Sequence, residues 1–323
     1  MHRAALIYNP ASGQRPAKRA ARIAQAIRVF DAAGIEVETI ATVSPESAAQ
    51  QARHAVSEGF DTILACGGDG TVHEVMQGLV GLRDVALGVI PMGTANALAS
   101  DLGIPSSAGK AAKALLDAVP VRVPVGRIFY RDANGAERSR YFTVAAGVGV
   151  DAHFFSRLDS RLKQRFGYLA YLIQALHLWA THSFPMFRAY FHDEKAGNVR
   201  TADLSQLLAV RISNFGGAVQ NLVPGAALHK EGLSAVAIGT SSRLRYLRFM
   251  VAVWCRSHSY RSPIELIEAK TIQCEELETA TTQTYVEADG ELLGTLPARI
   301  EVVPDALTLL VPARAAANFS LAP

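Results

Sequence analysis

Up to about residue 120, short solid apolar runs alternate with longer stretches whose apolar residues recur every three or four positions, the period of a helix packed on one side. Ala4 to Tyr8 is the first run and ends at Asn9-Pro10. Ala17 to Ala33, with Ile23, Ala26, Ile27 and Phe30, is the first helix. The alternation continues with a strand at Ile35 to Ile40, a helix at Ser47 to Ser57, and a strand at Thr62 to Ala65 that runs into Gly67-Gly68-Asp69-Gly70. A helix from about Val72 to Val80, a strand at Ala86 to Ile90, a turn at Pro91 and a helix around Asn96 to Leu102 follow. This alternation predicts an open, mostly parallel sheet covered by helices on both faces.

From about Val121 the texture changes to β-branched strands separated by Gly, Asn, Asp and Pro turns. Strands are predicted at Val123 to Tyr130, Ser139 to Ala145, Phe187 to His192, Gln206 to Ser213, Leu233 to Ile238, Ile264 to Ala269, Thr271 to Cys274, Thr284 to Glu287, Arg299 to Val303 and Thr308 to Val311. The second half therefore reads as a β-sandwich. Two prolines in Ala118 to Pro124 mark the change, which gives an α/β domain over 1–122, a β-sandwich domain over 123–312 and a tail over 313–323.

Composition narrows the class. At 323 residues the chain has room for about two domains, and an apolar fraction of 50% with 19% charged residues excludes disorder. Net charge is only +3, from 32 Lys and Arg against 29 Asp and Glu, which speaks against nucleic acid as a partner. Cys66, Cys255 and Cys274 form no C-x-x-C pair, so neither a disulfide framework nor a structural zinc site is expected, and a reducing cytoplasm fits. The N-terminus reads as a strand rather than a signal peptide, and no apolar run approaches the length of a membrane span. Any membrane contact is expected to be peripheral.

Three loops carry the candidate chemistry: Asn9-Pro10-Ala11-Ser12-Gly13, Gly67-Gly68-Asp69-Gly70-Thr71 and Pro91-Met92-Gly93-Thr94-Ala95-Asn96. Each follows a predicted strand, and in a parallel sheet such loops share one edge and converge on a ligand crevice. Glycine lets backbone N–H groups approach an anion, and a following helix N-terminus favours negative charge. Asp69 would repel a phosphate unless a cation lies between them, which points to Mg²⁺. The G-x-x-x-x-G-K-[ST] P-loop and the G-x-G-x-x-G dinucleotide fingerprint are both absent. Asp289-Gly290-Glu291, taken alone, reads first as a plain hairpin turn, since Asp-Gly is a strong turn pair.

These loops, together with Ala145 to Ala152, Asp289-Gly290-Glu291 and the strand and tail Ile300 to Pro312, resemble the diacylglycerol kinase catalytic-domain family of lipid kinases. That family includes bacterial diacylglycerol and phosphatidylglycerol kinases and the sphingosine and ceramide kinases. The resemblance implies an NAD kinase- and phosphofructokinase-like α/β domain joined to a β-sandwich, with ATP and a lipid acceptor meeting in the cleft between them. It assigns Asn9, Ser12, Thr42, Gly67, Gly68, Asp69, Gly70, Thr71 and Thr94 to ATP, and Asp289 and Glu291 to the place of a general base. It also implies a structural Mg²⁺ on the sandwich at Leu228, Glu231 and Leu233, where Glu231 stands in place of the usual Asp. Two further acids common in bacterial members are replaced by Ala97 and Pro124, and Asn96 to Ala99 is similar to the sphingosine and ceramide kinase form of the loop.

Phe154 to Arg188 and Arg243 to Arg261 each combine arginines with apolar and aromatic residues. The second has five arginines and no acid, which suits an anionic membrane surface and equally an amphipathic helix packed on the sandwich. The expected protein is thus a cytoplasmic, peripherally membrane-associated lipid kinase, compatible with a homodimer. An NAD kinase-like enzyme and a non-catalytic lipid- or nucleotide-binding regulator are the rival readings.

Overall fold

A computed structural model describes residues 1–11, 16–44, 46–149, 184–193, 198–215, 222–255, 259–280 and 282–319. The chain divides into two compact units, one formed by Met1–Val125 with Pro304–Pro323 and the other by Gly126–Val303. The boundary expected at 122/123 thus falls at 125/126. The last strand expected in the sandwich, Thr308 to Val311, belongs instead to the first unit.

In the first unit β1 (Arg3–Tyr8), β2 (Glu36–Ala41), β3 (Thr62–Gly67) and β4 (Ala86–Pro91) form a parallel sheet. The end of a long strand, β15 (Glu291–Pro312), adds to its edge in parallel with β4, pairing Leu309 with Leu87, so the order is β15-β4-β3-β1-β2. Every residue of β3 and β4 is buried, as expected where helices cover both faces. Those helices are α1 (Pro16–Asp31), α2 (Ser47–Ser57), α3 (Asp69–Leu79), α4 (Ala97–Asp101) and α5 (Ala108–Leu116). Burial of Ile23, Ala26 and Phe30 on α1 matches the predicted stripe.

The return of the chain to this unit has a plain cause. Ala306, Leu307, Leu309, Leu310 and Val311 are all buried, a solid apolar run that needs cover on both faces. Asp305, with φ +47°, redirects the chain and is held by Arg122, whose Nε donates to its Oδ1 at 2.9 Å, and by Arg83. The hydrogen bond from Arg122 holds the Asp305 carboxyl below its ordinary pKa. Leu309→Ala is expected to cost about 2–5 kcal/mol, a loss seen in urea unfolding of the first unit although the residue follows the sandwich strands in sequence.

The second unit is antiparallel. One run of strands is β12 (Ile264–Ala269), β11 (Leu233–Ile238), β10 (Gln206–Val210), β7 (Ala145–Gly149), β14 (Tyr285–Ala288) and the start of β15. Another links β9 (Asn198–Leu204), β8 (Phe187–Asp193) and β13 (Thr271–Glu276) to β15 through Ala298 to Glu301, and β5 (Ala118–Arg131) with β6 (Glu137–Phe142) also joins β15. Phe142, Val148, Phe187, Leu207, Ile272, Val286 and Ile300 share one buried core between these strands. Helix α6 (Arg243–Trp254) packs on this unit, with the Tyr246 hydroxyl hydrogen-bonded to Gln206, and α7 (Ala313–Ala316) is the last described helix. No described helix is long and apolar enough to cross a membrane.

Candidate functional site

The parallel register lines up the ends of the strands in the first unit. Tyr8 pairs with Ala41 on one side and Cys66 on the other, and Gly67 pairs with Pro91. Asn9, Thr42, Gly67 and Met92 therefore lie side by side at the carboxyl edge of the sheet. The Thr42 N–H donates to the Tyr8 carbonyl at 2.9 Å, and the Asn9 side chain closes its own turn by accepting the Ala11 N–H at 2.8 Å. Ser12 lies outside the described residues.

The second and third loops lock together. Asp69 opens α3, and its carboxylate accepts the Asn96 N–H on Oδ2 at 2.9 Å and the Ala97 N–H on Oδ1 at 2.6 Å. Asn96, with φ +49°, accepts the Gly93 N–H and returns a hydrogen bond from its amide to the Gly93 carbonyl. A Cβ on Gly93 would lie 2.7 Å from the Gly68 Cα, so only glycine lets the two backbones meet. A Cβ on Gly67 would meet the Thr71 hydroxyl at 2.3 Å, which places that side chain back over the loop. Gly93 and Thr94 are exposed beside this lock. Arg22 fixes the strand end beneath by donating to the carbonyls of Pro91 and Ser106.

The arrangement presents a helix N-terminus and glycine backbone with one carboxylate built in, suited to an anion that carries a cation. Ala97, in place of an acid, is buried and supplies its N–H to Asp69. Burial pushes the thiol of Cys66, adjoining Gly67, up to about 12, which disfavours the thiolate that a nucleophile needs. His73 and Glu74 are buried on α3.

In the second unit Asp289-Gly290 forms the turn between β14 and β15, with φ +49° and +84° at the two residues. Asp289 does more than turn the chain. Its carboxylate accepts the backbone N–H groups of Thr143, Val144 and Ala145 at 3.0, 2.9 and 3.1 Å, and its own N–H donates to the Ala145 carbonyl. Glu291 begins β15 and is half-buried. Buried Glu287, which carries no sequence signal, accepts the Gly290 N–H at 2.8 Å and lies over Gly147, where a Cβ would approach its Oε1 to 2.6 Å. This contact explains Gly147; residues 150–152 of that segment lie outside the described residues.

At the expected metal stretch, Leu228 and Leu233 are buried and Glu231 is exposed. The Leu228 carbonyl is taken by the side chain of Arg211, which was not anticipated from the sequence. Of the first basic stretch, Phe154 to Arg188, residues 154–183 lie outside the described residues. The first part of the other, Arg243–Trp254, forms α6, which buries Tyr246 and Phe249 and exposes Leu244, Arg245, Arg248, Met250 and Val251.

Residues 3–128 match the family described as the diacylglycerol kinase catalytic domain, and residues 143–311 match the YegS C-terminal NAD kinase beta sandwich-like domain. The chain is 30% identical over 300 residues to a diacylglycerol kinase of Bacillus subtilis, covering 92% of each protein. It is also 30% identical over 299 residues to a diacylglycerol kinase of Staphylococcus aureus, covering 92% of this chain and 88% of the relative. A crystal structure of a diacylglycerol kinase from Bacillus anthracis superposes with a TM-score of 0.67 at 19% identity, over 97% of this chain and 98% of that one. Yeast NADH kinase complexed with NADH gives 0.52 at 9% identity, over 100% and 89%, a likeness of fold alone.

Proposed function

The chain belongs to the diacylglycerol kinase family, and from that premise we propose that it transfers the γ-phosphoryl group of ATP to a lipid hydroxyl, with a diacylglycerol-like acceptor first. The observation that carries this reading is the lock between Gly68, Asp69, Gly93 and Asn96, a backbone cradle with a carboxylate inside it. In our reading Asn9, Ser12, Thr42, Gly67 to Thr71 and Thr94 bind ATP, and Asp69 holds the Mg²⁺ that accompanies it. The ion supplies neutralisation of phosphate charge.

The lipid hydroxyl oxygen bonds to the γ-phosphorus as the bond to the β-bridging oxygen breaks and ADP leaves. The hydroxyl proton passes to a carboxylate, and we assign that base to Glu291. Asp289, committed to three backbone N–H groups, holds the turn that presents it. The remaining catalysis is positioning and charge stabilisation.

We assign membrane contact to α6, where Leu244, Arg248 and Val251 stand on one exposed stripe at i, i+4 and i+7. The pair of reversals Arg245→Glu and Arg248→Glu is expected to weaken co-sedimentation with anionic vesicles by about tenfold or more and to leave binding to neutral vesicles little changed.

The function is tested by offering ATP, with Mg²⁺, to diacylglycerol, phosphatidylglycerol, sphingosine and ceramide in mixed micelles, with NAD in parallel. Phosphate on diacylglycerol supports the reading, and phosphate on another lipid keeps the class but moves the substrate. Phosphate on NAD alone overturns it, as does ATP binding without transfer.

A further inference from the structure

Arg211 follows directly on β10 and is 1% exposed, among the largest fully buried side chains of the described residues. Its guanidinium faces the loop ahead of β11, where alternate carbonyls turn to the same side. Nη1 donates to the carbonyls of Lys230 and Gly232 at 2.5 and 2.8 Å, and Nη2 donates to that of Leu228 at 2.8 Å. Three convergent backbone oxygens are the donor set that a hard divalent ion takes. Here they surround a cation that is covalently part of the chain.

The guanidinium is a cation at neutral pH, as arginine is throughout proteins. A divalent ion placed on the same carbonyls would meet a fixed positive charge at close range with little water to screen it. Glu231, the side chain expected to complete such a site, is exposed. The stretch Leu228 to Leu233 therefore does not fit the structural Mg²⁺ that the family resemblance implies.

The residue is also tied to the turn at Asp289. The Arg211 N–H donates to the Val144 carbonyl at 2.9 Å, and the Val144 N–H donates to Asp289 Oδ1 at 2.9 Å. The carbonyl cage, β10, the Thr143 to Ala145 segment and the hairpin turn thus form one hydrogen-bonded series within the sandwich unit.

We propose that Arg211 is the resident cation of this domain, occupying the Leu228, Lys230 and Gly232 carbonyl cage in place of a divalent ion, so that the sandwich holds its turn without metal. The proposal is independent of which acceptor the protein phosphorylates, because its test needs neither nucleotide nor lipid.

The test is thermal unfolding of the nucleotide-free full chain in EDTA and in millimolar Mg²⁺ or Ca²⁺, for the wild type, Glu231→Gln and Arg211→Met. Wild type and Glu231→Gln should respond to added cation alike, within about 1 °C, since no ion acts through this loop. Arg211→Met should melt about 5 °C or more lower in EDTA, having lost the cage's only charged donor among the described contacts. A rise with cation in the wild type that Glu231→Gln loses overturns the proposal, and so does an Arg211→Met protein as stable as the wild type. Should Arg211→Met fail to fold, the comparison of wild type with Glu231→Gln still decides.

Discussion

Glu291→Gln is expected to lower turnover by about a hundredfold or more while leaving ATP affinity and the unfolding midpoint nearly unchanged. Glutamine keeps the shape and length of the side chain but cannot take the hydroxyl proton. Asp289→Asn should behave differently, because the Asp289 carboxylate accepts three backbone N–H groups. An asparagine there sets an NH₂ donor against at least one N–H donor, so the loss should appear in stability, about 1–3 kcal/mol, as well as in turnover. Steady-state kinetics, nucleotide titration and urea unfolding of both variants separate the two roles. Full activity in both would remove the base assignment altogether.

Asp69→Asn should abolish measurable turnover and weaken ATP binding, despite being the most conservative change available. One amide oxygen can still accept from Asn96 or Ala97, but the NH₂ group then faces the other backbone N–H at a distance set for a hydrogen bond of 2.6–2.9 Å. The third loop must move, and with it the contact of Gly93 with Gly68. The charge that would hold Mg²⁺ is lost in the same substitution. Isothermal titration with ATP, with and without Mg²⁺, reads this out. Wild-type affinity in both conditions would show that Asp69 serves neither the loop nor the ion.

Much of this was legible because the first half obeys simple periodicities. Solid apolar runs at Ala4 to Tyr8, Thr62 to Ala65 and Ala86 to Ile90 became buried parallel strands, and the glycine loops after them came to one edge of the sheet. Helix α5 was not foreseen, since Ala111, Ala112 and Leu115 form a buried face out of small residues that contrast weakly with their neighbours. Helix α3 starts at Asp69 rather than near Val72, because tertiary contacts hold a glycine-rich first turn that propensity disfavours. Strand β9, Asn-Val-Arg-Thr-Ala-Asp-Leu, lacks an apolar alternation strong enough to announce it.

The end of the chain was misplaced for a different reason. Ala306 to Val311 carried the solid pattern of a doubly covered strand, yet its position after the sandwich strands assigned it to them. Chain order is a weak guide when a strand passes from one unit to another, as β15 does. At the candidate site, Asp69 was recognisable as a carboxylate among glycines. Its two amide partners were not, since they depend on the left-handed backbone of Asn96. Arg211 gave no warning either, since it lies inside the predicted strand Gln206 to Ser213 and nothing in that run marks its side chain as buried.

The central claim, phosphoryl transfer from ATP to a lipid hydroxyl, is tested most directly by following γ-labelled ATP and diacylglycerol in mixed micelles and measuring ADP and labelled lipid together. The account predicts labelled phosphatidic acid formed one for one with ADP, with both signals lost in Asp69→Asn and strongly reduced in Glu291→Gln. ADP released without labelled lipid, or labelled lipid formed undiminished by both variants, would contradict it.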